Sequence, residues 1–245
     1  MPEGPSIVIL REQAAPFVGR KVLRVAGNSK VIDLQRMRAQ RVVDIKSWGK
    51  HFLIAFPGFA VRVHFLLFGS YRINERKDAL PRLTLAFQKS ELNFYACSVK
   101  YVEGELNETY DWSGDVMSDQ WNPRAARRKL NARPDMLVCD ALLDQTIFAG
   151  VGNIIKNEVL FRIRVRPESR IGELPSRKLG ELIKQAREYS FDFYTWKKAF
   201  VLKKHYLVHT KKICPRCNIA LQFRASLGQS KRRSFFCDNC QRLYA

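Results

Sequence analysis

Pro2 and Glu3 have the shortest route to covalent chemistry in this 245-residue chain. The chain opens Met1-Pro2-Glu3-Gly4-Pro5, and loss of Met1 would leave Pro2 as a secondary α-amine beside a carboxylate. An α-amine has a pKa near ~8 against ~10.4 for a lysine side chain, so roughly a tenth of it is neutral and nucleophilic at pH 7. Condensed with a masked aldehyde, a secondary amine gives a charged iminium, which is an electron sink. Glu3 stands beside it to carry protons. The plain alternative is an N-terminal turn rich in Pro and Gly, and on these five residues alone it is the commoner meaning.

Cys214-Pro215-Arg216-Cys217 and Cys237-Asp238-Asn239-Cys240 carry a second chemistry. Each pair supplies two thiolates from a tight knuckle, and the spacing between pairs suits a four-cysteine zinc site. Four protein ligands leave no open coordination position, so the expected cofactor is one structural Zn2+. Two disulfides are the alternative. Between the pairs lie Lys231, Arg232 and Arg233, so a zinc-pinned hairpin would carry cations at its tip, suited to a DNA groove or backbone.

Lys50 and His64 are weaker candidates. Lys50 follows the turn residues Trp48-Gly49 and starts an apolar run, which puts an ammonium at a strand end; a solvated turn lysine reads the same way. His64 lies between Val63 and Phe65, so alternation points it to the opposite face, where a lone histidine is usually a surface or satisfied residue. Leu66-Leu67-Phe68 breaks that alternation before Gly69. The run reads either as a strand buried on both faces or as an apolar wedge at a hairpin tip, able to enter a base stack.

The elements that must hold these residues follow from pattern. Ile7, Leu10, Ala14 and Phe17 recur at helical spacing after Pro5, which predicts a helix over Pro5 to Phe17 stopped by Gly19. From Lys21 to Glu103, short alternating runs such as Val61-Arg62-Val63-His64-Phe65 predict strands of a β-sandwich or barrel. A linker-like stretch over Asp111 to Asn131 precedes helical composition. Helices over Cys139 to Ile147 and Gly152 to Phe161 flank the tight turn Ala149-Gly150-Val151-Gly152-Asn153, a helix–turn–helix-like unit. Asn153 is placed to cap the second helix, whose free N–H groups bind phosphate. Ser176 to Tyr194 predicts a longer amphipathic helix.

Composition bounds the partner. With 46% hydrophobic and 27% charged residues the chain reads as a folded soluble protein, and its net charge of +20 points to a polyanion, nucleic acid first. No apolar run reaches ~18 residues and no signal peptide is visible, so neither a membrane span nor secretion is expected. Cytoplasmic residence follows, at the nucleoid for a bacterial source.

Taken together the motifs resemble the formamidopyrimidine-DNA glycosylase/endonuclease VIII family from the first residue to the last. They are Met1-Pro2-Glu3-Gly4-Pro5, Trp48-Gly49-Lys50, Val63-His64 with Gly69, Leu143-Asp144-Gln145-Thr146-Ile147-Phe148-Ala149-Gly150-Val151-Gly152-Asn153, and the cysteine pairs with Arg232. The resemblance implies an α+β fold: an N-terminal β-sandwich with a flanking helix, a helix–two-turn–helix domain and a C-terminal four-cysteine zinc finger built on a β-hairpin. Expected boundaries are 1–115, a linker at 116–130, then 131–204 and 205–245. It implies a base-excision-repair DNA glycosylase with AP lyase activity on oxidised bases. Pro2 would be the Schiff-base nucleophile, Glu3 its acid–base partner and Lys50 a general acid and phosphate contact. His64, Asn153, Glu158 and Arg232 would face the DNA, with Leu66, Leu67 and Phe68 as the wedge. The implied partner is damaged DNA, double-stranded and also single-stranded, and a monomer is the default.

Some positions depart from the family pattern. Ser6 stands where many relatives carry a glutamate. Leu66-Leu67-Phe68 replaces the methionine-containing wedge of the formamidopyrimidine branch, and the arginine-rich strand that reads the orphaned base is missing. The stretch before Cys214 has no glycine for a loop over 8-oxoguanine. These features point to the endonuclease VIII-like branch and to oxidised pyrimidines. The competing class is a non-catalytic zinc-containing nucleic-acid-binding protein.

Overall fold

Pro5 lies in the first turn of helix α1 (Gly4–Ala14), where its missing N–H would have had no helical partner. The computed structural model describes residues 2–245. Ile7, Leu10 and Ala14 form the buried stripe of α1, which continues into a 3-10 turn at Ala15–Phe17 and stops before Gly19 at φ +79°. The chain forms two compact units divided between Asp111 and Trp112.

In the first unit the strands are β1 (Arg24–Ala26), β2 (Asp44–Trp48), β3 (His51–Phe56), β4 (Phe59–Ile73), β5 (Leu83–Ala86) and β6 (Glu91–Glu103). They pair antiparallel in the order β1-β5-β6-β4-β3-β2. The sandwich comes from the two long strands, which serve both halves. The start of β4 pairs with β3 and the end of β6, whereas its end, from Ser70, pairs with the start of β6, which also holds β5. Inward residues such as Phe52, Val63, Leu85 and Phe94 fill the interior, and α1 covers β2 and β3. A short helix, α2 (Leu106–Thr109), follows the last strand.

The change of halves falls at residues 66–69. Phe65 pairs with Cys97 and Ser70 with Tyr95, so those four residues stand opposite Ala96 alone. The wedge expected at a hairpin tip is therefore a bulge inside β4. The reading as a strand buried on both faces fails too, since Leu66, Leu67 and Phe68 are 51%, 52% and 88% exposed. Gly69 makes the return possible: a Cβ there would lie 2.8 Å from the Phe65 Cβ and 2.9 Å from the Ala96 carbonyl oxygen.

The second unit contains α3 (Pro123–Asn131), α4 (Val138–Leu143), α5 (Asn153–Arg162), α6 (Ser176–Lys198) and the hairpin β7 (Gln222–Leu227) with β8 (Arg232–Phe236). The stretch 116–130, expected as a linker, is part of its core: Val116, Ala126 and Leu130 are buried with Leu142, Phe148, Val159 and Tyr189. Asn122 caps α3 through N–H donors of Arg124 and Ala125, which turns that basic stretch into a packed helix. The second helix of the turn motif extends to Arg162, and the long helix runs on to Lys198. Between α4 and α5, the Gln145 side chain donates to the carbonyls of Leu143 and Val151 and accepts from the Gly150 N–H. That amide holds the double turn in shape, with Gly150 at φ +99°. Among the described residues no helix is long and apolar enough to cross a membrane.

The tight fit at Gly69 has a measurable cost. Gly69→Ala is expected to lower unfolding free energy by about 1–3 kcal/mol through overpacking against Phe65. The readout is a lower urea midpoint with an unchanged slope. A wild-type midpoint would mean that the bulge closes without this contact.

Candidate functional site

Glu3 is the residue immediately before α1, 2% exposed and extended at φ −103° and ψ 170°. Its carbonyl accepts the Ser6 N–H at 2.8 Å, so the chain turns into the helix there, with Pro2 half-buried just outside. The α1 stripe seats this end of the chain on β2 and β3, the hairpin that also carries Lys50. Sequence alone put Lys50 at a strand start. It is the second of the two turn residues between the paired Trp48 and His51, with Gly49 at φ +52° in the first position, the order a type II′ turn requires.

Behind Lys50 lies a cluster that sequence reasoning missed. His51 pairs across the strands with His64, their rings meeting edge-on at 5.4 Å. The His51 ring also lies 5.5 Å from Trp48 and 5.8 Å from Tyr110, and its Nδ1 is buried with no hydrogen-bond partner. Burial above all, with Arg62, His64 and Lys50 nearby, holds the His51 pKa down to about 3. Burial, then Lys50 and Arg62, also lowers His64. Both imidazoles are thus disfavoured as cations, first because they are buried and second because basic groups lie beside them. Such a site gains most when an anion arrives, and His64 is half-exposed at its rim. The signal was available: the two-residue Pro57-Gly58 turn pairs Phe56 with Phe59 and so puts His51 opposite His64 by strand register alone.

In the second unit the expected residues divide. Asn153 does not cap α5; Gly152 holds that position, and Asn153 is the first helical residue, its Oδ1 buried with no hydrogen-bond partner. Glu158, expected at DNA, is fully buried. Its carboxylate accepts the backbone N–H groups of Leu207, Val208 and His209 at 2.9, 3.0 and 2.8 Å. Burial raises its pKa while those three donors act against the rise. Glu158 is a positioning residue for the segment leading to the cysteines, because no phosphate reaches a fully covered carboxylate.

Two further buried side chains on α5 reach the hairpin. The Lys156 ammonium donates to the Arg233 carbonyl at 2.9 Å and the Ser234 hydroxyl at 2.8 Å. The Asn157 Oδ1 accepts the Phe235 N–H at 3.2 Å. At the hairpin's other end the Asp140 carboxylate takes the N–H groups of Gln229 and Ser230 and the Ser230 hydroxyl. Gly228, at φ +68°, is needed there, since a Cβ would meet an Asp140 oxygen at 2.3 Å. Arg232 leaves this clamped turn half-buried at the first position of β8.

Cys214, Cys217, Cys237 and Cys240 converge, their sulfurs all within 4.8 Å of one another and none joined in a disulfide. The Cys214 and Cys240 sulfurs are 3.8 Å apart. Zn–S bonds of ~2.3 Å at tetrahedral angles space sulfurs by about 3.8 Å, so the donor set fits that ion.

Residues 1–97 match the family of the formamidopyrimidine-DNA glycosylase N-terminal domain, and residues 114–189 that of the formamidopyrimidine-DNA glycosylase H2TH domain. Endonuclease 8-like 3 of Mus musculus is 30% identical over 207 residues, which cover 81% of this chain and 34% of that protein. The chain thus spans about a third of the length of that relative. The DNA-(apurinic or apyrimidinic site) lyase Nei2 of Mycolicibacterium smegmatis is 29% identical over 189 residues, 71% of each chain. In fold, the chain is similar to Lactococcus lactis formamidopyrimidine-DNA glycosylase bound non-covalently to AP-site DNA. There the TM-score is 0.85 at 19% identity, covering 98% of this chain and 99% of that one.

The cation-crowded histidine gives a pH signature. Above about 6.5 His51 is neutral in both folded and unfolded chains. Below that, the unfolded imidazole takes a proton that the folded one refuses until about pH 3, so stability falls as pH drops through this window. His51→Gln is expected to reduce the loss in urea midpoint between about pH 7 and about pH 4.5. Equal losses in the two proteins would remove the buried neutral imidazole from the account.

Proposed function

The chain belongs to the formamidopyrimidine-DNA glycosylase/endonuclease VIII family, and from that premise we propose that it is an endonuclease VIII-like DNA glycosylase and AP lyase. The observation that carries this reading is the buried Glu3 side chain fixed immediately before α1, directly after Pro2. Removal of Met1, which lies outside the described residues, frees the Pro2 amine. Its lone pair attacks the sugar C1′, the glycosidic bond breaks and the damaged base leaves with the bonding pair and a proton. The ring opens to an iminium on Pro2. A proton then leaves C2′, its electrons form the C2′–C3′ double bond, and the 3′ phosphate departs. Loss of a C4′ proton and the 5′ phosphate completes a second elimination. Glu3 carries protons at Pro2, and Lys50 holds a phosphate and supplies a proton to a leaving group.

The lesion has to leave the stack before C1′ can be attacked. Leu66, Leu67 and Phe68 fill the space it vacates through apolar contact. None of them offers hydrogen bonds that would identify the opposite base. Oxidised pyrimidines and abasic sites are therefore the preferred substrates, in duplex and in single strands, with weak discrimination of the opposite base. Asn153, His64 and Arg232 take backbone phosphates. Zn2+ belongs at Cys214, Cys217, Cys237 and Cys240, where it holds the two knuckles of the finger together.

Borohydride trapping on abasic-site DNA tests the chemistry. The expected product is a covalent adduct mapping to Pro2, weaker in Pro2→Gly, which keeps a primary amine, and absent when the N-terminus is blocked. An adduct on a lysine would reassign the nucleophile, and no adduct at all would favour a non-catalytic nucleic-acid-binding protein. Thymine glycol is expected to be cut faster than 8-oxoguanine opposite cytosine.

Metal analysis tests the finger. One zinc per chain is expected, and Cys237→Ser should lose it together with DNA binding, since such sites supply on the order of 10–16 kcal/mol. Active protein without metal would refute the zinc assignment.

A further inference from the structure

A concave groove of about 1160 Å³ runs between α3 and α6 in the second unit. Its floor is apolar, with Trp121 and Phe191 partly exposed over the buried Ile183. Its rim is cationic. Arg124, Arg127 and Arg128 share one face of α3, Lys184 and Arg187 come from α6, and Arg162 closes the end of α5. Six cations thus face two lining carboxylates, Glu188 and Asp192. Both carboxylates already have partners: Asp192 meets Arg162 at 3.4 Å and Glu188 meets Lys184 at 3.6 Å. The Arg162 Nε is buried with no hydrogen-bond partner. Gly180 keeps the groove open in the second turn of α6, where a Cβ would lie 3.1 Å from the Arg127 guanidinium. A glycine inside a helix costs about 1 kcal/mol relative to alanine, so the opening is not explained by helix stability.

We propose that this groove docks an acidic amphipathic helix of a partner protein, with aromatic or aliphatic anchors on the Trp121–Ile183–Phe191 floor and carboxylates on the α3 arginines. Charge complementarity and the apolar floor decide for a peptide. A phosphate backbone would gain nothing from the floor, whereas a helix lays its apolar face into such a groove. A cavity of this size exceeds that of most small-molecule sites. The groove also avoids the proposed phosphate contact. Asn153 starts α5 and Arg162 ends it, a separation of about 14 Å along the helix axis. Partner and DNA therefore bind the unit together.

The probe is a fluorescein-labelled glutamate-rich helical peptide carrying Trp and Leu along one face, titrated into the zinc-loaded chain first alone and then with increasing amounts of a duplex that carries a reduced, non-cleavable abasic site. Saturable anisotropy is expected, weakened about tenfold or more by the pair Arg127→Glu and Arg128→Glu. Gly180→Leu, which fills the groove with a better helix former, should block binding while the melting temperature stays level or rises. A peptide of the same composition with its apolar residues scattered should bind weakly. Absence of saturable binding, or equal binding by both variants, overturns the proposal. Displacement of the peptide by duplex in proportion to added DNA would assign the groove to nucleic acid instead.

Discussion

Three consecutive buried polar side chains, Lys156, Asn157 and Glu158, set the architecture of the second unit. A helix normally turns such residues outward, because an unpaired buried charge costs several kcal/mol. Here they find their partners in two distant stretches of backbone. Glu158 gathers the N–H groups of 207–209, Lys156 takes the carbonyl of Arg233, and Asn157 takes the N–H of Phe235. The backbone groups so used would otherwise lie unpaired beneath the finger. Helix and finger thus depend on each other: α5 cannot bury this face without the finger, and the Arg233 carbonyl and Phe235 N–H of β8 lose these side-chain partners without α5.

The first unit solves a different electrostatic problem. Lys50, Arg62, His51 and His64 crowd one side of the β2–β3–β4 ladder, and the groups acting on the two imidazoles are all basic. The fold tolerates this because the histidines stay neutral and the ammonium sits in a turn. In the second unit Arg166 behaves otherwise, pairing with Asp238 at 3.1 Å, so basic residues there serve as ties as well as contacts.

Much of this was legible in the sequence where local chemistry decides. The cysteine knuckles, the Gly-rich double turn, the alternating strands and the N-terminal motif each depend on a few neighbouring residues, and each is found in its expected element. What the sequence hid depends on distant partners. Glu158 looks like any helical carboxylate until 207–209 fold over it. Val116 and Leu130 sit in a stretch whose Ser, Gly, Asn and Asp suggest a linker, yet their burial is decided by α4 and α6. His51 gains meaning only from its cross-strand neighbour. The exposed apolar run at residues 66–68 was recognised, but its support was not, since a register shift of this kind follows from how two long strands divide between two halves of a sandwich.

That bulge separates what is presented from what presents it. Its return path is governed by Gly69, the Phe65 core contact and the left-handed backbone of Ala96 at φ +47°, while the three apolar side chains lie outside the buried core. Evolution can therefore exchange those side chains one at a time without disturbing the sandwich, whereas adding or deleting a residue would reverse every inward and outward position beyond it. The apolar surface presented at this edge of the protein can drift by substitution alone, on a scaffold that resists changes of length.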